Sequence, residues 1–309
     1  MKRTGSLFYQ MINIPSVMQR KDGSPVSFQT MSDYHKKLKY ASEYFKEEGV
    51  RRIAEIDIKM LQEYADHLEL EGKSPSTIHN YLAPLCKVFF VSMQQIRKPR
   101  RTTSEYTRSR TKPDRYENTP LDQLPPSVLL SKCTGLRRSE LKRVKGRDLL
   151  QENGVTYVLA EKGKGGKRQM QRILPKYVPL LENLFRDVAP DEKVLKEFVS
   201  KYDYHLVRRK LALECYEYYA SICAQGPDSR KALYKEIAAY WHKYNKRYRD
   251  KLEPYSFFEK PYFLRGKTKL VALAQDKPLV LDRLCLRAVS IFHLAHWRDS
   301  VTTQSYYLD

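Results

Sequence analysis

The sequence predicts a mainly α protein with one small β-hairpin or sheet, arranged as two domains: an N-terminal helical bundle and a C-terminal α+β domain. Three observations predict it. Apolar residues recur at three- and four-residue steps in residues 27–96, in runs bounded by cap residues and glycines. A basic, Ser/Thr/Pro-containing stretch at 97–118 has no apolar period and reads as a linker. Beyond it, a single strand–turn–strand signal near 155–174 lies among helical patterns.

Residues 1–26, with Pro15, Gly23 and Pro25, are read as an irregular N-terminal segment. From Ser27 the pattern turns helical, through Met31, Tyr34, Leu38, Ala41 and Phe45, and Gly49 stops it. Asp57 caps a second helix carrying Leu61, Tyr64, Ala65 and Leu68, closed by Gly72. Ser74-Pro75 opens a third, a cap followed by proline at the first turn, holding Ile78, Leu82, Leu85 and Phe89, with Pro84 expected to bend it. These apolar stripes are expected to be core.

The second domain is assigned to 119–309. A helix from Pro126 to Lys132 breaks at Gly135 and restarts at Ser139-Glu140, which places Arg137 at a turn with Glu140 as a neighbouring carboxylate. Val155 to Ala160 forms a strand, enters the turn Glu-Lys-Gly-Lys-Gly-Gly-Lys at 161–167, and returns through Gln169 to Leu174. The tip of that hairpin carries Lys162, Lys164 and Lys167. His205-Leu-Val-Arg208 opens a helical run to Tyr219, and a histidine and arginine three apart share a helix side. A similar pair, Tyr262-Phe-Leu-Arg265, follows a stretch at about 220–260 that is rich in Tyr, Lys and Arg and reads as a helical insertion with a basic, aromatic surface. Leu281 to Leu294 forms an apolar-periodic helix leading to His296, and Tyr306 lies ten positions further on.

Charge narrows the partner. Lys and Arg number 57 against 36 Asp and Glu, a net charge of +21, with a pI near 9.6. That excess fits a polyanion. No stretch approaches the ~20 apolar residues of a membrane span, and no membrane partner is expected. The five cysteines form no CxxC and no His/Cys zinc spacing, and read as reduced thiols of a cytoplasmic protein. Arg97, Lys98, Arg100 and Arg101 at the start of the linker are placed to lie along a phosphate backbone, as are Lys162 and Lys167; a plain tether is the other reading of the linker. A metal nuclease would show an acidic cluster or His-x-His ligands, and neither is seen; no metal or cofactor is expected.

In that order, Arg137, Lys164, His205/Arg208, His296 and Tyr306 resemble the tyrosine recombinase (phage integrase) family. The matching pieces are Thr134-Gly-Leu-Arg-Arg-Ser-Glu-Leu141, Gly163-Lys-Gly-Gly-Lys167, His205-x-x-Arg208, Leu294-Ala-His296 (where the family usually has Leu-Gly-His) and Thr302-Thr-Gln-Ser-Tyr306. The N-terminal helices resemble the family's core-binding domain, so the likeness spans roughly 27–309. Each piece alone is weak; five in order are specific.

The resemblance implies a two-domain clamp around duplex DNA that cuts and rejoins it without metal or nucleotide. Tyr306 is the implied nucleophile, with Tyr307 the alternative. Arg137 and Arg208 are the implied stabilisers of the transition state, Lys164 the acid for the leaving 5′-oxygen, His205 an acid/base, and His296 a donor to a non-bridging oxygen. Glu140 is expected to orient Arg137 or His205. Further implied are specific recombination sites, a homotetramer on two paired sites, accessory DNA-bending or directionality proteins, a role in moving a mobile element, and the bacterial cytoplasm or nucleoid.

The chain also departs from the pattern. Lys164 and His205 are only 41 residues apart, whereas 88 separate Arg208 from His296, as in an element-borne subgroup with an insertion between them. Tyr262/Arg265 is therefore a rival for the second arginine box. Two other functions compete: a type IB topoisomerase-like enzyme that relaxes supercoils without paired sites, and a catalytically idle DNA-binding protein.

Overall fold

The computed structural model describes residues 5–20, 22–100, 114–161, 163, 168–245 and 252–303. The chain divides into two compact units, Met1–Thr107 and Arg108–Asp309. It is mainly α-helical with a small sheet in the second unit.

The first unit is a five-helix bundle among its described residues: α1 (Leu7–Ile12), α2 (Pro15–Met18), α3 (Phe28–Glu47), α4 (Ile58–Leu70) and α5 (Pro75–Val88). The last three start where cap chemistry dictates. Ser27 Oγ accepts from Thr30 N at 3.1 Å, Asp57 Oδ1 from Met60 N at 2.8 Å, and Ser74 Oγ from Thr77 N at 3.3 Å. Gly49 and Gly72 close α3 and α4 at φ +85° and +71°, where a side chain is strained. Leu38, Phe45, Leu61, Leu68, Leu82 and Leu85 are fully buried in one core.

The segment 1–26, expected to be irregular, is instead structured over much of its length. Ser6 caps α1, Pro15 occupies the first turn of α2, and Gln19 bridges to Pro25. Leu7, Met11 and Val17 join the bundle core, and Ser16 Oγ donates to Lys87 O in α5 at 2.6 Å. Helices of 6 and 4 residues are too short to display a period, and Pro15 begins a helix rather than excluding one.

The second unit opens with α6 (Pro126–Thr134) and α7 (Arg138–Leu141), followed by an antiparallel sheet of β1 (Leu149–Glu152), β2 (Val155–Ala160) and β3 (Gln169–Arg172). Leu150 faces Tyr157, and Leu159 faces Met170. The first strand was not expected. Its signal was nevertheless local: Asn153 and Gly154, at φ +51° and +75°, make the two-residue turn that a tight hairpin requires.

Then come α8 (Val178–Phe185), α9 (Tyr204–Ala224), α10 (Pro227–Tyr244), α11 (Tyr255–Phe258), β4 (Tyr262–Phe263), α12 (Gly266–Ala274), β5 (Val280–Leu281), α13 (Arg283–Ala288), a π-helical turn (Val289–His293) and α14 (Asp299–Thr302). β4 and β5 form a separate two-stranded ribbon. The described residues of 220–260 are largely helical, and they are not an appendage. Leu233, Ile237, Tyr240 and Trp241 of α10 are buried in the same core as Val158, Leu211 and Phe292. Lys231 and Lys235 take the opposite, exposed face, so the helix is basic outside and structural inside.

Among the described residues, no helix is long and apolar enough to cross a membrane.

Candidate active site

The turn after α6 sets the first arginine. Gly135 leaves the helix at φ +61°, and a Cβ there would lie 2.8 Å from Leu211 Cδ2, so both backbone and packing require glycine. Two residues later Arg137 takes the N-cap of α7. Glu140, in the first turn, accepts from Arg137 N at 2.8 Å and from Arg137 Nη1 at 2.6 Å. The Glu140 carboxylate is nearly sealed, at 1% exposure, while the Arg137 side chain keeps 15%. A charge-assisted contact of this kind fixes the guanidinium in one orientation. Of the two partners expected for Glu140, the structure pairs it with Arg137.

The second arginine lies at the centre. Arg208, in the second turn of α9, is 0% exposed. Its Nη1 donates to Gly135 O, and its Nη2 donates to Leu294 O at 2.6 Å. Segments 73 and 86 residues away in sequence therefore meet on one guanidinium. A charge in the interior is tolerated only when its donors are engaged.

The third segment follows the π-helical turn, a distortion that often accompanies functional positions. His296 donates its backbone N–H to Ser290 O at 3.0 Å, and its side chain is half-buried. Ala295 and Trp297, on either side of it, adopt φ +47° and +60°, the left-handed region. Such a conformation costs a non-glycine residue about 1–2 kcal/mol. Packing maintains it: Trp297 stacks on Tyr240 at 5.9 Å and meets Trp241 edge-on at 5.5 Å. Next to it, His293 is fully buried, within 2.9 Å of Tyr219 Oη. Burial, reinforced by the positive charges of Arg172 and Arg208, lowers its pKa to about 3, so it is a neutral structural histidine.

The remaining sequence candidates divide. His205 is exposed in the first turn of α9, whereas Arg208 is interior. Three residues advance about 300°, which leaves the two side chains about 60° apart, so the edge of the buried face of α9 falls between them. Tyr262 lies in β4 with its hydroxyl 3.3 Å from Thr303 Oγ1, and Arg265 is exposed at the start of α12. In the first unit, Arg97 is exposed and pairs with Asp66 at 3.3 Å, and Arg100 is exposed. Lys98 donates to Met93 O at 2.6 Å and to Ile96 O at 3.3 Å, which makes it a local staple as well as a cation. Arg101, Lys162, Lys164, Lys167, Tyr306 and Tyr307 lie outside the described residues.

Residues 24–95 match the phage integrase N-terminal SAM-like domain. The match covers less than a quarter of the chain and lies within its first unit. The matched residues hold α3, α4 and α5, and α1 and α2 precede them. Two solved structures of XerH site-specific recombinase bound to difH substrate are similar. The post-cleavage complex, on a palindromic substrate, is 17% identical with a TM-score of 0.41, covering 63% of this chain and 70% of that one. The pre-cleavage complex is 18% identical with a TM-score of 0.38, covering 68% and 83%. Likeness at this level is loose. A search of the curated proteins found no match.

Sequence reasoning missed one cluster in the second unit. Arg287 of α13, 4% exposed, donates from Nε to Asp299 Oδ1 at 2.7 Å and from Nη2 to Asp299 Oδ2 at 3.2 Å. Its Nη1 also reaches Glu253 at 2.9 Å. Burial works against this charge, but the contacts to Asp299 and Glu253 outweigh it and raise the arginine's pKa. Asp299 opens α14, the last described helix before Tyr306. Neither spacing nor composition marks the cluster, because its carboxylates lie 12 and 34 residues from Arg287 on opposite sides in sequence.

Proposed function

We propose that this chain is an integrase-type site-specific DNA recombinase that cuts and rejoins duplex DNA through a 3′-phosphotyrosyl intermediate, in the service of a mobile element. The observation that carries the reading is Arg208, whose guanidinium joins the carbonyls of Gly135 and Leu294. It gathers the Arg137–Glu140 turn and the His296 turn around one point, in a chain with a phage integrase N-terminal domain. Two arginines and an imidazole suit an oxyanion that gains charge as it reacts.

In this mechanism the Tyr306 hydroxyl attacks the scissile phosphorus. A bond forms between the tyrosine oxygen and phosphorus, and the bond from phosphorus to the 5′-oxygen breaks. Lys164 supplies a proton to that 5′-oxygen, leaving a free hydroxyl. Arg137, held by Glu140, and Arg208 offset the charge of the five-coordinate phosphorus, and His296 donates to a non-bridging oxygen. His205, at the surface, acts as acid/base near the nucleophile. Removing either arginine costs on the order of 3 kcal/mol of barrier. Rejoining is the reverse attack by a 5′-hydroxyl, so no external energy is needed. Two domains clamp the duplex, Arg97, Arg100 and their neighbours follow its backbone, and a homotetramer on two paired sites performs exchange in the bacterial cytoplasm or nucleoid, aided by DNA-bending or directionality proteins.

The test is a suicide duplex built from the ends of the element that encodes the chain, nicked beside the cut. A covalent protein–DNA adduct is expected, lost in Tyr306→Phe and retained in Tyr307→Phe. The absence of an adduct on any such end, with binding intact, would overturn the reading in favour of an idle DNA-binding protein. Relaxation of supercoiled plasmid without paired sites would favour the topoisomerase.

A further inference from the structure

Cys223, near the end of α9, and Cys285, in the first turn of α13, bring their sulfurs to 3.6 Å across 62 residues of sequence. A disulfide needs about 2.05 Å, so a closure of about 1.5 Å would join them. Cys223 is half-buried and Cys285 fully buried, which gives one thiol that an oxidant can reach and a second waiting behind it. We propose that Cys223 and Cys285 are a peroxide-modified pair that closes to a reversible disulfide between α9 and α13.

The surroundings favour that chemistry. The Cys285 S–H donates to Cys223, and this hydrogen bond, with a smaller contribution from the Arg230 guanidinium, holds the Cys223 thiol below its usual pKa against the opposing effects of burial and of the Asp282 charge. The thiolate of Cys223 attacks hydrogen peroxide: a sulfur–oxygen bond forms, the oxygen–oxygen bond breaks, and the released hydroxide leaves as water with the thiol's proton. Cys285 then attacks the sulfenic sulfur. The sulfur–sulfur bond forms as the sulfur–oxygen bond breaks, and the oxygen leaves as a second water with the Cys285 proton. Two thiols are oxidised, and one peroxide is reduced.

A metal ion is the competing occupant, because Asp282 stands with the two cysteines so that one ligand atom from each lies within 4.8 Å of the others. Its carboxylate is already committed. Arg230 grips both oxygens, from Nη1 to Oδ2 and from Nη2 to Oδ1 at 3.1 Å, and its Nη2 also donates to Phe258 O at 2.9 Å. Asp282 Oδ1 meanwhile caps α13, accepting from Leu284 N at 2.8 Å and Cys285 N at 3.1 Å. The guanidinium occupies the place a cation would take, and a divalent ion would add charge beside it.

The test needs no DNA and does not depend on the recombinase reading. The full chain is treated with hydrogen peroxide, digested without reductant and mapped by mass spectrometry. One cross-linked species joining the Cys223 and Cys285 peptides is expected, abolished by dithiothreitol. In Cys285→Ser, Cys223 is expected instead as a sulfenic acid trapped by dimedone. The proposal is overturned if wild-type Cys223 stays reduced, if it pairs with another cysteine, or if it proceeds to sulfinic acid with Cys285 free. Stoichiometric zinc in the purified chain, lost from Cys223→Ser, overturns it too. Should Cys285→Ser fail to fold, the wild-type map decides alone.

Discussion

Arg208 and Leu294, 86 residues apart in sequence, are joined by a 2.6 Å hydrogen bond from Nη2 to the carbonyl oxygen. The same guanidinium donates to Gly135 O, so one side chain is both a packing element and a member of the candidate site. Arg208→Ala is expected to lower stability by about 3 kcal/mol, since it strands buried carbonyls, and to abolish the covalent adduct. Arg265→Ala, at an exposed position, is expected to shift stability by less than about 0.5 kcal/mol and to keep the adduct. Urea unfolding with adduct formation on the nicked duplex checks both. An adduct lost only in Arg265→Ala would move the second arginine to Tyr262/Arg265.

Glu140 holds Arg137 by two contacts, one to its backbone and one to its guanidinium. Glu140→Gln keeps the shape and weakens the charge-assisted hold. A misdirected catalytic group loses on the order of 10²-fold in rate. Single-turnover cleavage is therefore expected to fall by about that factor, while binding to uncleaved site DNA changes little. A gel-shift assay run beside the cleavage time course separates the two effects.

Asp299 anchors the start of α14 to buried Arg287. Asp299→Asn is expected to cost about 2 kcal/mol, in the range for hydrogen bonds to charged groups. Because α14 precedes Tyr306, adduct formation should slow about tenfold even at temperatures where the variant is fully folded. Equal loss of site binding and cleavage would instead mean a general folding defect.

Ala295 holds φ +47° beside His296. Ala295→Gly removes the side chain that disfavours this conformation and is expected to stabilise the chain by about 1 kcal/mol, partly offset by the greater freedom of glycine in the unfolded state. A rise in the urea midpoint at unchanged slope checks it.

His293 binds its proton only near pH 3 in the fold, against about 6.5 when unfolded. Its folded pKa is depressed, so the unfolded chain takes up the proton first. Stability is full above pH 6.5 and is lost as the pH falls towards 3, at up to about 1.4 kcal/mol per pH unit. His293→Gln is expected to be less stable at pH 7, having lost the contact to Tyr219, and to show a shallower acid slope between pH 6 and 4 in urea titrations.

Much of the N-terminal unit was legible because its signals are local. Ser27, Asp57 and Ser74 accept hydrogen bonds from amides three residues on, and Gly49 and Gly72 take the positive φ that ends a helix. The same holds at Gly135, where break and restart place Arg137 beside Glu140. The short helices of 1–26 escaped because neither is long enough to repeat a pattern, and β1 escaped although Asn153-Gly154 announced its turn.

By itself, then, the sequence determined the caps, the glycine stops, the hairpin of β2 and β3, the excess of positive charge and the order of candidate residues. Only the tertiary structure decided that α10 lies in the core, that Arg208 is interior while His205 faces outward, that Glu140 serves Arg137, and that Arg287 grips Asp299. The physical reason is range. A cap or a turn is settled by atoms within a few residues, whereas the partners of Arg208 are carbonyls 73 and 86 positions away. Nothing local distinguishes those carbonyls from their neighbours until packing brings them to the guanidinium.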